Sequence, residues 1–275
     1  MSPKAGNYFT LIKSGEADWN LFRLSVEICR IVDPELCFDT YNQFIDQLAG
    51  ECRKGIEENG DVYSTIEAIN SVLYDRYGFH GNEEDYYDPR NSYMTSVLDR
   101  RKGIPITLSV LYREISSRIG LDLTCVALPG HFLLKLRHSG REMFIDAYSA
   151  GKILLASECR QLVEEIYDGQ VEFKPGFLQR IGKKTVLLRL LVNLKQIYQA
   201  QGDHLKLIAV LDHRIPLLID PNREILERGL TRLSVEDYRG AADDIRFFMD
   251  HTDDTEIKEA LGAKLDRIRR LARGY

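Results

Sequence analysis

Apolar residues recur at three- and four-residue steps through the first third of the chain, a spacing typical of amphipathic helices. We expect Asp39 or Thr40 to cap one of these helices and Asp61 to cap the next, because their side-chain oxygens can accept hydrogen bonds from the unpaired backbone N–H groups of the first turn. An earlier helix from Leu21 is expected to end at Asp33-Pro34. The apolar positions of the three helices include Val26, Cys29, Ile45, Leu48, Cys52, Val62, Ile66, Ile69, Leu73 and Tyr77. Cys29 and Cys52 are therefore predicted to pack in a core.

The stretch 78–92, GFHGNEEDYYDPRNS, interrupts this pattern. It is long for a connector, and such loops are often functional or well packed. Its acidic residues lack the register of a calcium-binding loop. We favour an ordered loop held by side-chain hydrogen bonds over a ligand site. Ser92 is expected to cap a short helix that runs through Leu98.

The segment RRKGIPITLSVLYREISSRIG, residues 100–120, predicts a central helix. Pro105 suits its first position, because the N–H that proline lacks would have no partner there. One buried stripe is expected, made of Leu108, Leu111, Tyr112, Ile115 and Ile119. Gly120 is the predicted stop.

From Leu123 the period falls to two, which predicts strands. The strands His131–His138 and Arg141–Ala147 flank Ser139-Gly140, a two-residue hairpin turn. That turn pairs Leu133 with Asp146. His131 and Asp146 become diagonal neighbours on one face, roughly 7–8 Å apart at the backbone. A one-residue change in the turn would destroy this pairing.

After FKPGF at 173–177 the pattern is helical again and contains a repeat. GDHLKLIAVL from 202 matches EDYRGAADDI from 236, an offset of 34 residues, which is the period of tetratricopeptide repeats. Gly229 and Ala241 suit the close helix contacts of such repeats. We therefore predict an α+β domain over 1–180 and an all-α repeat region over 181–275.

Composition narrows the function classes. The formal net charge is −5 and no basic stripe is present, which argues against a nucleic-acid partner. Five cysteines without a CxxC pair favour free thiols in a reducing compartment. No apolar run is long enough for a membrane span, and the first residues do not resemble a signal peptide. We expect a cytoplasmic protein without a cofactor or metal; its oligomeric state stays open.

Candidate chemistry centres on His131 and Asp146. A thiol enzyme needs a cysteine at a helix start, next to a histidine that a carboxylate orients. The central helix starts instead with Ile104, Pro105, Ile106 and Thr107. Cys125 lies in an apolar strand, where packing is favoured over catalysis, and no G-x-S-x-G elbow supports Thr107 or Ser109.

Three stretches carry a family resemblance: DYYDPRNSYMTSVLDRRKGIPITLSVLYREISSRIGL, LPGHFLLKL and FIDAYSAGKIL. They resemble the bacterial SirB-type transglutaminase-like proteins. The resemblance implies a cysteine-protease-like core of helix and antiparallel sheet, followed by tetratricopeptide-like repeats. It matches His131 and Asp146 to the family's histidine and aspartate and places Pro105 at the nucleophile position. FIDAYSAGKIL departs from the family's FIDPF pattern.

Three functions follow as hypotheses. The first is a non-catalytic protein that binds another protein through a residual cleft, the repeat surface or both. The second is a divergent hydrolase or acyl-transfer enzyme in which His131, oriented by Asp146, acts as general base. The third is a thiol enzyme that uses Cys125, which requires that sulfur within reach of His131.

Overall fold

The computed structural model describes residues 6–56 and 60–272. They divide into two compact units, Met1–Leu190 and Leu191–Tyr275. The helices are α1 Gly6–Leu11, α2 Leu21–Ile28, α3 Phe38–Gly55, α4 Val62–Asn70, α5 Met94–Arg100, α6 Pro105–Arg118, α7 Ala156–Ile166, α8 Lys183–Gln201, α9 His204–Arg214, α10 Asn222–Leu233, α11 Tyr238–Asp250 and α12 Thr255–Ala272. The strands are β1 His80–Gly81, β2 Lys102–Gly103, β3 Thr124–Leu128, β4 His131–His138, β5 Arg141–Asp146 and β6 Lys152–Leu154. The fold thus combines helices with a sheet, as predicted.

The amino-terminal helices follow the apolar pattern, with corrections at their ends. Asp61 caps α4 as predicted, because its side chain accepts the Ser64 N–H at 2.8 Å. The prediction for α3 was wrong. The helix begins at Phe38, and Asp39 lies in its first turn, where a negative charge still favours the helix dipole. The stripe towards Tyr77 is not one α-helix either, since a π-helical turn covers Ser71–Arg76.

The loop at 78–92 is ordered by its own side chains, as favoured. The Asn82 amide donates to Asn91 Oδ1 and to the Asp85 carbonyl, both at 3.0 Å. Within it, His80 and Gly81 form β1, which pairs in parallel with β2. Ser92 is not a cap, because Tyr93 precedes the first residue of α5. The loop therefore sits directly beside the segment that leads into α6.

Helix α6 is the central helix and begins at Pro105, as predicted. The prediction of a single buried stripe was too narrow, because every residue from Pro105 to Tyr112 is buried. Helices α2, α3 and α5 contact it, and so does β4. At its end Gly120 has φ of +90°. The Leu121 N–H returns to the Ser116 carbonyl at 2.8 Å, the closing bond of a Schellman motif.

The main sheet has the order β3-β4-β5-β6, with antiparallel neighbours. Ser139 and Gly140 both have positive φ, as a type I′ hairpin turn requires. His138 pairs with Arg141, which confirms the predicted register, although β5 ends at Asp146 and not at Ala147. Because the face alternates along a strand, His131, Leu133 and Asp146 share one face. Leu133 packs there with apolar residues of α7 (Cys159 and Val163).

The second unit consists of helices and carries the predicted offset. Helices α9 and α11 begin at His204 and Tyr238, 34 residues apart, and Asp203 and Asp237 cap them in the same way. Gly229 lies so close to α11 that an added Cβ would be 2.8 Å from the Asp244 Cβ. Arg228 and Arg232 bind the buried Asp244 carboxylate at 2.6 and 2.8 Å. In neither unit is a described helix both long and apolar enough to cross a membrane.

Candidate functional site

His131 and Asp146 lie at one end of the main sheet, on the first residue of β4 and the last residue of β5. Their Nε2 and Oδ2 atoms are 3.0 Å apart. Nε2 has no well-aligned hydrogen-bond acceptor, so the contact is close but bent away from the ideal donor direction. The side chains are 9% and 4% exposed. The hairpin register therefore brings the predicted pair together in a largely closed environment.

Asp146 also organises the turn that follows it. Its Oδ1 accepts the N–H groups of Tyr148 at 3.0 Å and Ser149 at 3.2 Å. Its Oδ2 accepts the Ser149 hydroxyl at 2.9 Å. Burial alone would raise the pKa of Asp146, but its contacts with His131 and Ser149 outweigh burial and hold that pKa below its ordinary value. The carboxylate is thus ionised, and its oxygens accept hydrogen bonds from the turn.

Tyr148 connects His131 to the loop in front of α6. Its ring meets the His131 ring edge-on, with centroids 6.0 Å apart. It also lies against Gly81, where an added Cβ would be 2.3 Å from a ring carbon. Gly81 pairs with Gly103, two residues before Pro105. Nothing in the sequence indicates this contact, because the need for a glycine shows only once the Tyr148 ring is placed.

No activated nucleophile is built at the start of α6. Pro105 is buried at the first helical position. The Thr107 hydroxyl donates to the Asn91 carbonyl at 2.8 Å and accepts the Ile104 N–H at 3.1 Å. The Ser109 hydroxyl is buried without a hydrogen-bond partner in the part of the chain that is described. Both hydroxyls therefore lack the contact with an imidazole that activates a nucleophile.

Cys125 cannot pair with His131. Cys125 lies opposite Leu134 in the sheet, whereas His131 lies opposite Leu128. Residues separated by three along a strand point to opposite faces, so the thiol and the imidazole lie on different sides. Burial also raises the pKa of Cys125 to about 11. The hypothesis of a thiol enzyme using Cys125 is therefore wrong in this geometry.

Comparison with known proteins finds a family match and relatives that cover most of the chain. The model of a family described as the transglutaminase-like superfamily matches residues 39–192. The UPF0162 protein of Xylella fastidiosa strain Temecula1 is 31% identical over 233 residues, which cover 83% of each chain. The UPF0162 protein of Vibrio cholerae is 25% identical over 240 residues, covering 87% of this chain and 88% of the relative.

A eukaryotic relative shares only part of the chain. F-box only protein 21 of Homo sapiens is 36% identical over 179 residues, which are 60% of this chain and 28% of that protein. No solved structure matches. The family match covers more than half of the sequence and includes Pro105, His131 and Asp146. The chain belongs to the transglutaminase-like superfamily.

Proposed function

We propose that this chain is a non-catalytic member of its superfamily that binds another protein. The observation that carries the proposal is Pro105, buried at the helix start to which the SirB-type resemblance assigns the nucleophile. Proline has no nucleophilic atom. No described hydroxyl or thiol near this helix start contacts His131, so the acyl transfer of the superfamily has no acceptor atom here.

The use of the remaining polar groups supports the same proposal. Asp146 accepts three hydrogen bonds from its own turn, and Thr107 anchors α6 to Asn91. These contacts stabilise the fold whether or not a substrate is present. A catalytic frame that has lost its nucleophile but kept its shape can serve as a binding surface.

The second unit offers a candidate partner surface, which we propose as tetratricopeptide-like. A groove of about 880 Å³ is lined by α9, α10, α11 and α12 residues, among them Leu226, Leu230, Phe248 and Ile257. Leu230 and Ile257 are exposed, at 37% and 40%. Stacked helix pairs commonly use such concave surfaces to bind peptides.

Five free cysteines support a reducing, cytoplasmic location.

A second candidate is a divergent hydrolase or acyl-transfer enzyme that uses His131 without a cysteine. The 3.0 Å contact between His131 and Asp146 favours it, because a carboxylate can orient an imidazole that acts as general base on water. The low exposure of the His131 side chain counts against it, since a base must reach its substrate.

One set of assays separates the two candidates. The purified full chain is tested for amine transfer, deamidation, and peptide and ester hydrolysis, beside its His131→Ala and Asp146→Ala variants. We expect no turnover above the variants. Turnover in the wild type that both substitutions abolish, while the variants stay folded by circular dichroism, would refute the non-catalytic function and establish the second candidate.

A further inference from the structure

Arg189 in α8 differs from most half-buried arginines of this protein. Its Nη2 donates to the Leu128 carbonyl at 3.4 Å, and within residues 6–56 and 60–272 it has no carboxylate partner. By contrast, Arg118 binds Asp46 and Glu114, at 2.7 and 2.9 Å. A guanidinium has five N–H donors, so most of those of Arg189 have no acceptor among the residues that the structure describes. A half-buried cation without an anion bears a desolvation cost that no ion pair offsets.

Arg189 contacts the strand that pairs with the first residue of β4, His131. Leu128, whose carbonyl Arg189 binds, is the strand partner of His131. The connecting turn includes Gly130 with φ of +69°, and a Cβ there would lie 2.7 Å from Ile166 and 3.3 Å from the Tyr167 hydroxyl. The turn therefore packs closely against the end of α7 and leaves no room for a larger side chain at Gly130. Arg189 lies at the same end of the sheet as the His131–Asp146 pair.

Exposed tyrosines extend this surface. Tyr86 and Tyr87 are 42% and 73% exposed, and their rings meet edge-on at 5.5 Å. The Tyr86 phenol lies within electrostatic range of Arg189, and Tyr148 lies within range of Tyr86. Burial lowers the pKa of Arg189 below its ordinary value, although the group stays charged. Tyrosine and arginine, with tryptophan, are the residues most enriched at the energetic centres of protein interfaces.

We infer that Arg189, flanked by Tyr86, binds a carboxylate group of a peptide partner next to His131. This inference rests on the proposed binding function and names the chemistry of its ligand. The planar guanidinium can hold a carboxylate through two parallel hydrogen bonds, and the tyrosine rings can cover the residues beside it. Glu83 and Asp146 lie near Tyr148. These acids repel a doubly charged phosphate more strongly than a singly charged carboxylate.

The test is a titration of the full-length, ¹⁵N-labelled chain followed by NMR. The probes are acetyl-Gly-Gly-Tyr with a free carboxyl terminus, the same peptide as an amide, acetyl-Gly-Glu-Gly-amide, and inorganic phosphate. The Arg189 Nε–H signal is assigned by its loss in Arg189→Met. We expect saturable shifts of this signal with a carboxylate peptide at millimolar concentration, and none with the neutral amide.

Three variants sharpen the readout. Shifts of the Tyr86 and Gly130 amides report affinity where the arginine signal is absent. Arg189→Met should weaken binding at least about tenfold, because an interfacial charge loses its partner. Arg189→Lys should recover part of the affinity without the two-bond geometry. Arg141→Gln removes the same charge from the exposed start of β5, next to the hairpin turn, and should leave affinity unchanged. Unaltered amide spectra elsewhere show that each variant is folded.

The outcomes decide the inference. A response to the free carboxyl terminus alone identifies a chain end as the ligand, and a response to the glutamate peptide alone identifies an acidic side chain; both support it. No saturable shift, a response to phosphate only, or unchanged affinity in folded Arg189→Met would overturn it. Such a failure without turnover leaves the proposed binding function intact, whereas turnover that depends on His131 refutes that function whatever the titration shows.

Discussion

The candidate site has two halves, the start of α6 and the open end of the β4–β5 hairpin, where β4 begins and β5 ends. The two halves use their polar groups in opposite ways. At the helix start, Pro105 has no donor and the Thr107 hydroxyl is committed to Ile104 and Asn91. At the hairpin end, Asp146 is anchored in its turn, yet the His131 ring keeps a poorly aligned contact with it.

The comparison shows that the shape of a site and the presence of its reacting groups are separate questions. The hairpin end retains an imidazole and a carboxylate within hydrogen-bond distance, which alone would suggest chemistry. At the helix start, Pro105 and Thr107 are buried and the Thr107 hydroxyl is hydrogen-bonded to the main chain, which supports the proposal that a third group is missing. A histidine beside an aspartate is therefore insufficient ground for an enzyme when the facing helix offers no nucleophile.

The largest expected effect is that of Asp146→Ala. Removing the buried carboxylate leaves two backbone N–H groups and the Ser149 hydroxyl without their acceptor, and it removes the contact with the His131 ring. We predict a loss of about 3 kcal/mol in the free energy of unfolding, measured by urea denaturation of the full chain. Asp122→Ala, at an exposed acid without a described partner, is the control. A loss no larger than in the control would show that the turn does not depend on Asp146.

Asp146→Asn should cost less at neutral pH, since its amide oxygen can still accept a hydrogen bond. Its main effect is on acid stability. The pKa of Asp146 in the folded protein is below its ordinary value, so the stability it contributes is present above that ordinary value and is lost as pH falls through the folded pKa. Denaturation series from pH 6 down to acid should therefore converge for wild type and variant. Parallel curves would contradict a contribution from the ionised carboxylate of Asp146.

Thr107→Val should cost about 1–2 kcal/mol, because valine keeps the shape but leaves the Ile104 N–H and the Asn91 carbonyl without the hydroxyl. Thermal and urea unfolding measure the change. Thr185→Val, at an exposed threonine in α8, is the matched control. Equal stability of the two variants would mean that the helix start is not held by Thr107.

Pro105→Cys is expected to have the smallest effect, below about 1 kcal/mol. The first position of a helix needs no N–H bond, and the two side chains have similar volumes. Pro105→Ala controls for loss of the ring. An unfolded Pro105→Cys chain beside a folded Pro105→Ala chain would show that the thiol is not tolerated at this buried position.

Local sequence signals predicted much of this site. Ser139-Gly140 fixed the hairpin register and thus the His131–Asp146 pair, and Pro105 marked the helix start. Local sequence signals were insufficient where contacts between distant parts of the chain determine the structure. Packing from several sides buries both faces of the first half of α6. Tyr148 meets the His131 ring, and Arg189 meets the Leu128 carbonyl, only because the sheet and α8 are folded. The cap of α3 shifted by two or three residues, from Asp39 or Thr40 to Cys37, since helix boundaries also depend on contacts that the local sequence does not show.

The absence of a nucleophile is tested most directly by the intact mass of the chain after incubation with a glutamine-containing peptide and an acid quench. Acyl transfer by this superfamily would pass through an acyl group bound to the protein. We predict an unchanged mass for the wild type and for His131→Ala. An acyl adduct that forms on the wild type and is missing from His131→Ala would contradict the non-catalytic function.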